Sequence, residues 1–405
     1  MVAALACVMG GMDLVRPLGL AGISSAVVSE ADAPQSFSRF TRAHIDISDL
    51  WERPDEMARR LVDFGTARSE PPVLFWDRDG YLLFVSRHRE TLATAFRFAI
   101  AEPELVEDLV DKARFHALAD RLGLPVPATR HIRPAEGSSP GEVDLAYPIV
   151  VKPLTRRDRD LPWASIGAAA KAVRVNTPQA LDALWPRLAA ASVGFLAQEL
   201  VPGPESRIES YHVYVDEHGS VVADFTGREL RTWPIVFGHS SSVVTTDAAD
   251  VRALGRELVE RLQLHGVAKF DFKRAPNGDL ILLEVNPRFS LWSHPGAKAG
   301  VNLPALVFGD LVGLPRPPVR KARAGVFWSD MVPDAKAARA LHMPTARWMA
   351  WFLRSDAKAE IALDDPMPFL RGMLWQERSL LLRKFGRVVL ARVRRAGRPA
   401  RRDAQ

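Results

Sequence analysis

The stretch LILLEVNPRFS, residues 280–290, is the most informative segment of this 405-residue chain. Four apolar residues run directly into Glu284, and Asn286 follows two positions later. The preceding segment GVAKFDFKRAPNGD, residues 266–279, alternates apolar and polar residues and ends in a Pro-Asn-Gly-Asp turn. Together the two segments predict a β-hairpin whose strands carry polar groups near one end.

The predicted hairpin indicates a cation site. Counting back from a four-residue turn places Ala275 opposite Leu280, and therefore Asp271 opposite Glu284. Opposed side chains in antiparallel strands lie about 4.5–5.5 Å apart at Cβ, and Asn286 shares the face of Glu284. Facing carboxylates repel each other unless a cation lies between them. We therefore predict that these two acids and the amide bind Mg²⁺, or Mn²⁺ in its place; the alternative is a solvated strand end.

Lysine residues upstream of the hairpin are candidates for binding phosphate. In YPIVVKP, Lys152 ends an apolar strand, where burying an ammonium is costly without an anion. Lys112 begins a helix that Gly123 ends, and Lys171 precedes a short strand. For the last two lysines an exposed surface cation is the alternative.

The segment AQELVPGPES, residues 197–206, has the features of an adenine hinge. An extended backbone with free N–H and C=O groups can pair with the edge of adenine, and Gln198, Glu199 and Val201 are placed for this. After the Pro-Gly-Pro turn, Glu205 is positioned to accept ribose hydroxyls. The alternative is a linker that contains a turn.

Composition narrows the class of protein. A hydrophobic content of 47% and a charged content of 25% are those of a soluble globular protein. The single cysteine, Cys7, excludes an internal disulfide and a cysteine-based zinc site, and it favours a reducing compartment. The apolar N-terminus lacks the basic region of a signal peptide, and no window is long enough to span a bilayer. We therefore expect a cytoplasmic protein.

The positive charge is concentrated at the C-terminus. Residues 383–405 carry nine Lys or Arg residues and one Asp, a net charge of +8, whereas the whole chain carries +6. The remaining residues therefore sum to −2, so we expect no nucleic-acid binding. A basic helix with apolar residues between 374 and 393 could make weak contact with an anionic membrane surface. A solvated or packed helix is the alternative.

Taken in order, DK-helix-LGLPVP, YPIVVKP, QELVPGPE and FDF-turn-LLEVNPR resemble the ATP-grasp superfamily over about residues 110–315. These motifs are most similar to those of the carbamoyl-phosphate-synthetase-like carboxylate–amine ligases. The resemblance implies a multidomain α/β and α+β chain. Its parts are a doubly wound pre-ATP-grasp domain at 1–108, ATP-grasp subdomains at 109–192 and 193–315, and a helical extension with a basic tail at 316–405.

The resemblance also implies roles for individual residues. ATP would be bound by Lys112, Lys152, Gln198, Glu199, Val201 and Glu205, and the metal by Asp271, Glu284 and Asn286. Arg288 would lie over the γ-phosphate or an acyl-phosphate, where a planar guanidinium suits the negative charge. Arg231 and Arg228 are candidates for holding a substrate carboxylate. A loop with Arg156, Arg157 and Arg159 stands where family members often have a glycine-rich phosphate cover, and neither it nor Lys171 is assigned a role.

The implied reaction activates a carboxylate with ATP as an acyl-phosphate and joins it to an amine, releasing ADP and phosphate. Small-molecule carboxylates and amines are therefore the expected partners, although the sequence names neither substrate nor the oligomeric state. Two alternatives stay open: an ATP-binding regulator that has lost catalysis, and a membrane-surface factor acting through the C-terminal helix. The G-x-G-x-x-G fingerprint is absent, which sets aside a Rossmann dehydrogenase.

Overall fold

The computed structural model describes residues 4–30, 32–47, 50–154, 172–190, 194–318, 320–359 and 361–372. These residues form a mixed α/β chain built on three sheets. The predictions for Arg156, Arg157, Arg159, Lys171 and the basic C-terminal helix lie outside them. In the part of the chain so described, no helix has the length and apolar character needed to cross a membrane.

The first sheet consists of four parallel strands in the order β3-β2-β1-β4. The strands are β1 Ala6–Met9, β2 Ser25–Ser29, β3 Thr41–Asp46 and β4 Val73–Trp76. The helices are α1 Met12–Leu20, α2 Pro54–Thr66, α3 Asp79–Arg87, α4 Arg89–Ala93, α5 Pro103–Val110 and α6 Lys112–Leu122. The strand order reverses between β1 and β4. Their carboxyl ends therefore flank a switch point, where open α/β sheets bind ligands.

The second sheet is antiparallel, in the order β5-β8-β6-β7. Its strands are β5 Thr129–Ile132, β6 Ile149–Pro153, β7 Val173–Val175 and β8 Phe195–Glu199, and α7 Pro178–Ala190 packs on it. Ile149, Val151, Leu181 and Phe195 lie in a separate buried cluster. This sheet therefore has its own small core.

The third sheet has the order β13-β12-β9-β10-β11-β14-β15. Its strands are β9 Ile208–Val215, β10 Val221–Trp233, β11 His239–Thr246, β12 Gly266–Arg274, β13 Leu280–Asn286, β14 Phe327–Ser329 and β15 Ala357–Lys358. The helices are α8 Ala249–Leu262, α9 Ser293–Ala299, α10 Leu303–Leu311, α11 Met331–Ala340 and α12 Thr345–Arg354. The segment from residue 316 was predicted to be helical, but its described part also adds β14 and β15 to this sheet.

The strands β12 and β13 form the predicted hairpin with a different turn. Arg274, and not Ala275, faces Leu280, so the turn is one residue longer than predicted. A β-bulge then inserts one extra residue into β13, and Asp271 faces Glu284 after all. The predicted pairing of the two acids is confirmed, because the bulge compensates for the longer turn.

Residues late in the chain cover one side of the first sheet. Nη1 of the buried Arg16 on α1 donates to the carbonyl oxygens of Lys358 and Ala359, each at 2.6 Å. The hydroxyl of Ser38 donates to Asp365 at 2.6 Å. The first sheet and the last described segment therefore pack against each other.

Arg231, the predicted ligand of a substrate carboxylate, is paired with a carboxylate of the protein itself. Its Nε and Nη2 donate to the two oxygens of Asp334 at 2.7 and 2.9 Å, and its guanidinium lies 4.2 Å from the ring centroid of Trp351. Asp334 is fully buried and also accepts a hydrogen bond from Trp348 Nε1 at 2.8 Å. Because Arg231 is committed to this pair, it fixes α11 to β10; Arg228 is exposed.

We predict that Asp334→Ala lowers the free energy of unfolding by about 3–5 kcal/mol, because it leaves the buried charge of Arg231 without its partner. The double variant Arg231→Met/Asp334→Leu removes both charges and should retain much more of the stability. Urea unfolding at pH 7 measures both variants. Equal losses in the single and double variants would contradict this interpretation.

Candidate active site

The three predicted metal ligands lie together on the hairpin. Asp271 on β12 faces Glu284 on β13, and Asn286 Nδ2 donates to Glu284 Oε1 at 3.1 Å. Asp271 and Asn286 are buried, whereas Glu284 is exposed. The cluster therefore has a buried side and a side open to solvent.

Lys269 lies in the same cluster and was missed from the sequence. Its Nζ is 2.7 Å from Asp271 Oδ2, and its side chain is mostly buried, with 13% exposed. Glu229 on β10 is a further acid that interacts electrostatically with both residues. Strand alternation could have revealed Lys269, since it stands two positions before Asp271 and shares its face.

Burial and neighbouring charges set the pKa values of the cluster. Burial raises the pKa of Asp271 to about 7; Lys269 opposes this rise, and Glu284 and Glu229 add to it. Burial alone would lower the pKa of Lys269, but the nearby carboxylates outweigh it and raise that pKa above its ordinary value. The ammonium of Lys269 is therefore firmly protonated among the acids.

The donor atoms of the cluster fit a hard divalent cation. Oδ1 of Asp271 is buried and has no hydrogen-bond partner among the residues described above. Carboxylate and amide oxygens are ligands that Mg²⁺ accepts. Within the same described ranges, no group of three or more His, Cys, Asp or Glu side chains is arranged for a metal. A metal here would therefore use the amide of Asn286 in addition to Asp271 and Glu284.

Arg288 connects the hairpin to the switch point of the first sheet. Its Nη2 donates to Asn286 Oδ1 at 3.0 Å and its Nη1 to the carbonyl oxygen of Asp77 at 3.2 Å, while Nε donates to Asp79. The carboxylate of Asp77, just after β4, accepts from the backbone N–H of Gly11, just after β1, at 2.8 Å. The predicted metal ligands therefore lie next to the edge where a parallel sheet binds ligands.

The predicted phosphate lysines meet on the second sheet. Lys152 Nζ donates to Gln198 Oε1 at 2.8 Å, and Gln198 Nε2 lies 3.3 Å from His116 Nε2. Lys112, the first residue of α6, donates to the carbonyl oxygen of Pro153 at the end of β6. The structure therefore brings Lys112, Lys152 and Gln198 to one region, with His116 as a buried neighbour that the sequence analysis did not name.

The predicted hinge runs from the second sheet towards the hairpin. Glu199 ends β8, and its carboxylate accepts from the backbone N–H of Ala146 at 2.9 Å, while Val201 is buried. Glu205 Oε1 lies 3.2 Å from the ammonium of the buried Lys273 on β12. Since Lys273 stands two positions after Asp271 on β12, the predicted hinge approaches the predicted metal ligands. Lys273 was also missed from the sequence.

Comparison with solved structures identifies the fold. The chain matches the ADP complex of PurK, N5-carboxyaminoimidazole ribonucleotide synthetase, with a TM-score of 0.60 and 16% identity over 80% of this chain and 81% of that one. It matches the L-amino acid ligase of Bacillus licheniformis with a TM-score of 0.59 and 16% identity over 79% and 78% of the two chains. The chain has the ATP-grasp fold. The resemblance stated from the sequence is thereby confirmed.

A further solved structure and a curated protein agree with this ATP-grasp assignment. Biotin carboxylase of Campylobacter jejuni matches with a TM-score of 0.59 and 15% identity over 81% of this chain and 74% of that one. The D-aspartate ligase of Enterococcus faecium (strain Aus0004) is 24% identical over 303 residues, 72% of this chain and 71% of that protein. No protein-family model matches the chain. Two of these similar proteins, the D-aspartate ligase and the L-amino acid ligase, are named as ligases.

We predict that His116 makes the protein less stable as the pH falls from about 6.5 to about 4. Burial, together with the nearby charge of Lys152, lowers the pKa of His116 to about 4. Below its ordinary pKa the unfolded chain takes up a proton that the folded chain does not, which favours unfolding. In His116→Gln the loss of stability between pH 7 and pH 4 should be smaller by up to about 3 kcal/mol.

Urea unfolding across this pH range measures the effect. The matched control is His218→Gln at an exposed position, which should keep the wild-type pH dependence. If His116→Gln lost as much free energy of unfolding between pH 7 and pH 4 as the wild type does, the prediction would be contradicted.

Proposed function

We propose that this chain is an ATP- and Mg²⁺-dependent ligase that joins a carboxylate to an amine and releases ADP and phosphate. The hairpin carries the proposal, because it sets Asp271 against Glu284 and Asn286 and, through Arg288, holds them at the carboxyl edge of the first sheet. Two of the similar proteins are named as a D-aspartate ligase and an L-amino acid ligase. These names support an amino acid as one substrate.

The nucleotide would be bound by the hinge and the two lysines. The backbone from Gln198 to Val201 would pair with adenine, and Glu205 would accept the ribose hydroxyls. Lys112 and Lys152 would bind phosphate oxygens. The Lys152 ammonium donates to the neutral amide of Gln198, and a phosphate oxygen is a stronger acceptor than an amide oxygen. ATP would therefore compete well with Gln198 for this ammonium.

Asp271, Glu284 and Asn286 would hold Mg²⁺, which when bound neutralises phosphate charge and polarises the γ-phosphoryl group. Arg288 would bind the phosphoryl oxygens, since its planar guanidinium donates two parallel hydrogen bonds to such groups. To do so it would exchange at least one of its contacts with Asp79 and Asn286 for the substrate. The carboxylate substrate would bind beside it, at the ends of β1 and β4.

The reaction balances without a covalent enzyme intermediate. One substrate carboxylate oxygen attacks the γ-phosphorus, and the bond to the β-phosphate oxygen breaks to release ADP. The amine nitrogen then attacks the acyl carbon; the carbon–oxygen bond breaks, phosphate leaves with the electron pair, and the amine loses a proton to water. The chain contributes positioning and charge stabilisation.

We predict that the purified protein forms ADP from ATP and Mg²⁺ in the presence of amino acids and small carboxylic acids. Glu284→Gln should lower kcat/KM by roughly 10²–10³-fold, the size expected when one charge-stabilising group is removed. A coupled assay for ADP and a phosphate assay, run on pools that are then divided into single compounds, measure both.

The matched control is Glu217→Gln, the same change at an exposed position in the turn after β9. It should leave turnover at the wild-type level. Formation of AMP and pyrophosphate, or full activity in Glu284→Gln, would overturn the proposed function.

A further inference from the structure

We propose that the cavity between α1 and the last described segment is a second binding site, which takes an amphipathic carboxylate, a small molecule with a carboxylate head and an apolar chain. The site goes beyond the proposed ligase function. Among the described residues that line the cavity, none is predicted to bind the metal, the nucleotide or the phosphoryl group.

The cavity has a volume of about 370 Å³, which is within the range of small-molecule sites. Its walls come from α1, α9, α12, β15 and residues 361–365, with Phe40 just before β3. It therefore lies where the late part of the chain packs against the first sheet. Cavities at such junctions are common ligand sites, and a ligand here would contact both parts of the chain.

Three leucines line the cavity with much of their apolar surface in water. Leu20 is 48% exposed, Leu353 is 67% exposed and Leu363 is 97% exposed. The rings of Phe40 and Phe352 also line the cavity. A ligand with an apolar chain would remove the leucine surface from water, which favours its binding. The walls therefore suit a ligand with an apolar body.

Lys358 brings a positive charge whose hydrogen-bond partners are neutral. Its Nζ donates to the carbonyl oxygen of Ser355 at 2.7 Å and to that of Leu353 at 3.5 Å, at the C-terminal end of α12. These bonds use two of the three N–H donors of an ammonium. Burial lowers the pKa of Lys358 more than the nearby Asp356 raises it. A carboxylate that accepts from the third donor would therefore stabilise the charged lysine.

Two further cations make this side of the cavity positive. Lys298, in the last turn of α9, is exposed and lines the cavity. Nη1 of Arg16 donates to the carbonyl oxygens of Lys358 and Ala359. Burial, followed by the charges of Arg16 and Lys298, lowers the pKa of His294 to about 3. The ring of His294 is therefore neutral, and the two cations give the region around it a positive potential that attracts an anion.

The acidic residues of the lining, Asp356, Asp364 and Asp365, already have partners in the protein. Asp365 accepts from the hydroxyl of Ser38 at 2.6 Å and from the backbone N–H of Arg39 at 2.9 Å. Asp364 lies 3.8 Å from the guanidinium of Arg39, and Asp356 accepts from the first backbone N–H of β14 at 2.9 Å. Since these carboxylates are engaged while the lysines keep donors for a ligand, the cavity favours a negative head group over a positive one.

Calorimetric titration of the full chain with sodium octanoate tests the chemistry of the ligand. We expect octanoate to bind at one saturable site. Both 1-octanol and octylammonium keep the apolar chain but lack the carboxylate, so each should bind at least about tenfold more weakly. Octanoate without saturable binding, or 1-octanol that binds as tightly as octanoate, would overturn the proposal.

Variants of the lining test the place of the site. Lys358→Met and Lys298→Met should each weaken octanoate binding by about tenfold, because each removes a charged donor, whereas Lys358→Arg should keep most of the affinity. Leu363→Ser changes a side chain that is almost fully exposed, so the fold is kept, and it should weaken binding at least about threefold. The matched control is Lys336→Met, at an exposed position on α11 outside the cavity, which should bind as wild type does.

Wild-type affinity in both Lys358→Met and Lys298→Met, or in Leu363→Ser, would mean that octanoate binds elsewhere and would contradict the proposal. The titrations use neither ATP nor the substrates of the ligase reaction, so their outcome is independent of the proposed function.

Discussion

The candidate site depends on the pairing of β12 with β13. The side-chain period of a strand is two residues, so a shift of one residue moves every side chain to the other face. The turn of this hairpin is one residue longer than a four-residue turn, and a β-bulge in β13 corrects the register. Without the bulge, Glu284 and Asn286 would point away from Asp271. A local irregularity in the backbone therefore determines whether the acids can share a cation.

The second determinant of the site is the contact between the hairpin and the first sheet. Arg288 donates to Asp79 and to the backbone of Asp77, and it also donates to the amide of Asn286. The same side chain thus orients a proposed metal ligand and fixes the distance between two sheets. A ligand that competes for Arg288 would change its contacts both with the proposed metal ligand Asn286 and with the switch point between β1 and β4.

The parts of this arrangement that could be predicted from the sequence are local. The hairpin and the candidate hinge follow from alternation, turn residues and apolar runs within single short segments, the hairpin over Gly266–Asn286. Lys269 and Lys273 share the same alternation, but a lysine in a strand is ordinarily exposed, and burial becomes evident only when the neighbouring strands are in place. The hairpin register was predicted correctly for its acids and incorrectly for its turn, because a bulge leaves no clear mark in an apolar strand.

Long-range partners account for the remaining differences. The ion pair of Arg231 could not be predicted from the sequence, because its partner, Asp334, is 103 positions away in the chain. The strands β14 and β15 have three and two residues, which is too short for any periodicity to appear. These strands form because β14 pairs with β11 and β15 pairs with β14. Their own sequences carry no pattern that predicts them.

The packing of late residues against α1 has a consequence for biosynthesis. Leu14, Val15 and Leu18 are buried in a cluster that includes Leu303 and Ala357, and Arg16 bonds to a carbonyl oxygen 342 positions later. During translation the first sheet therefore leaves the ribosome long before its apolar side can be covered. A nascent chain of this protein therefore exposes apolar surface on its first sheet until nearly 360 residues have been made. The amino-terminal sheet expressed as a fragment would need a chaperone or a solubilising fusion.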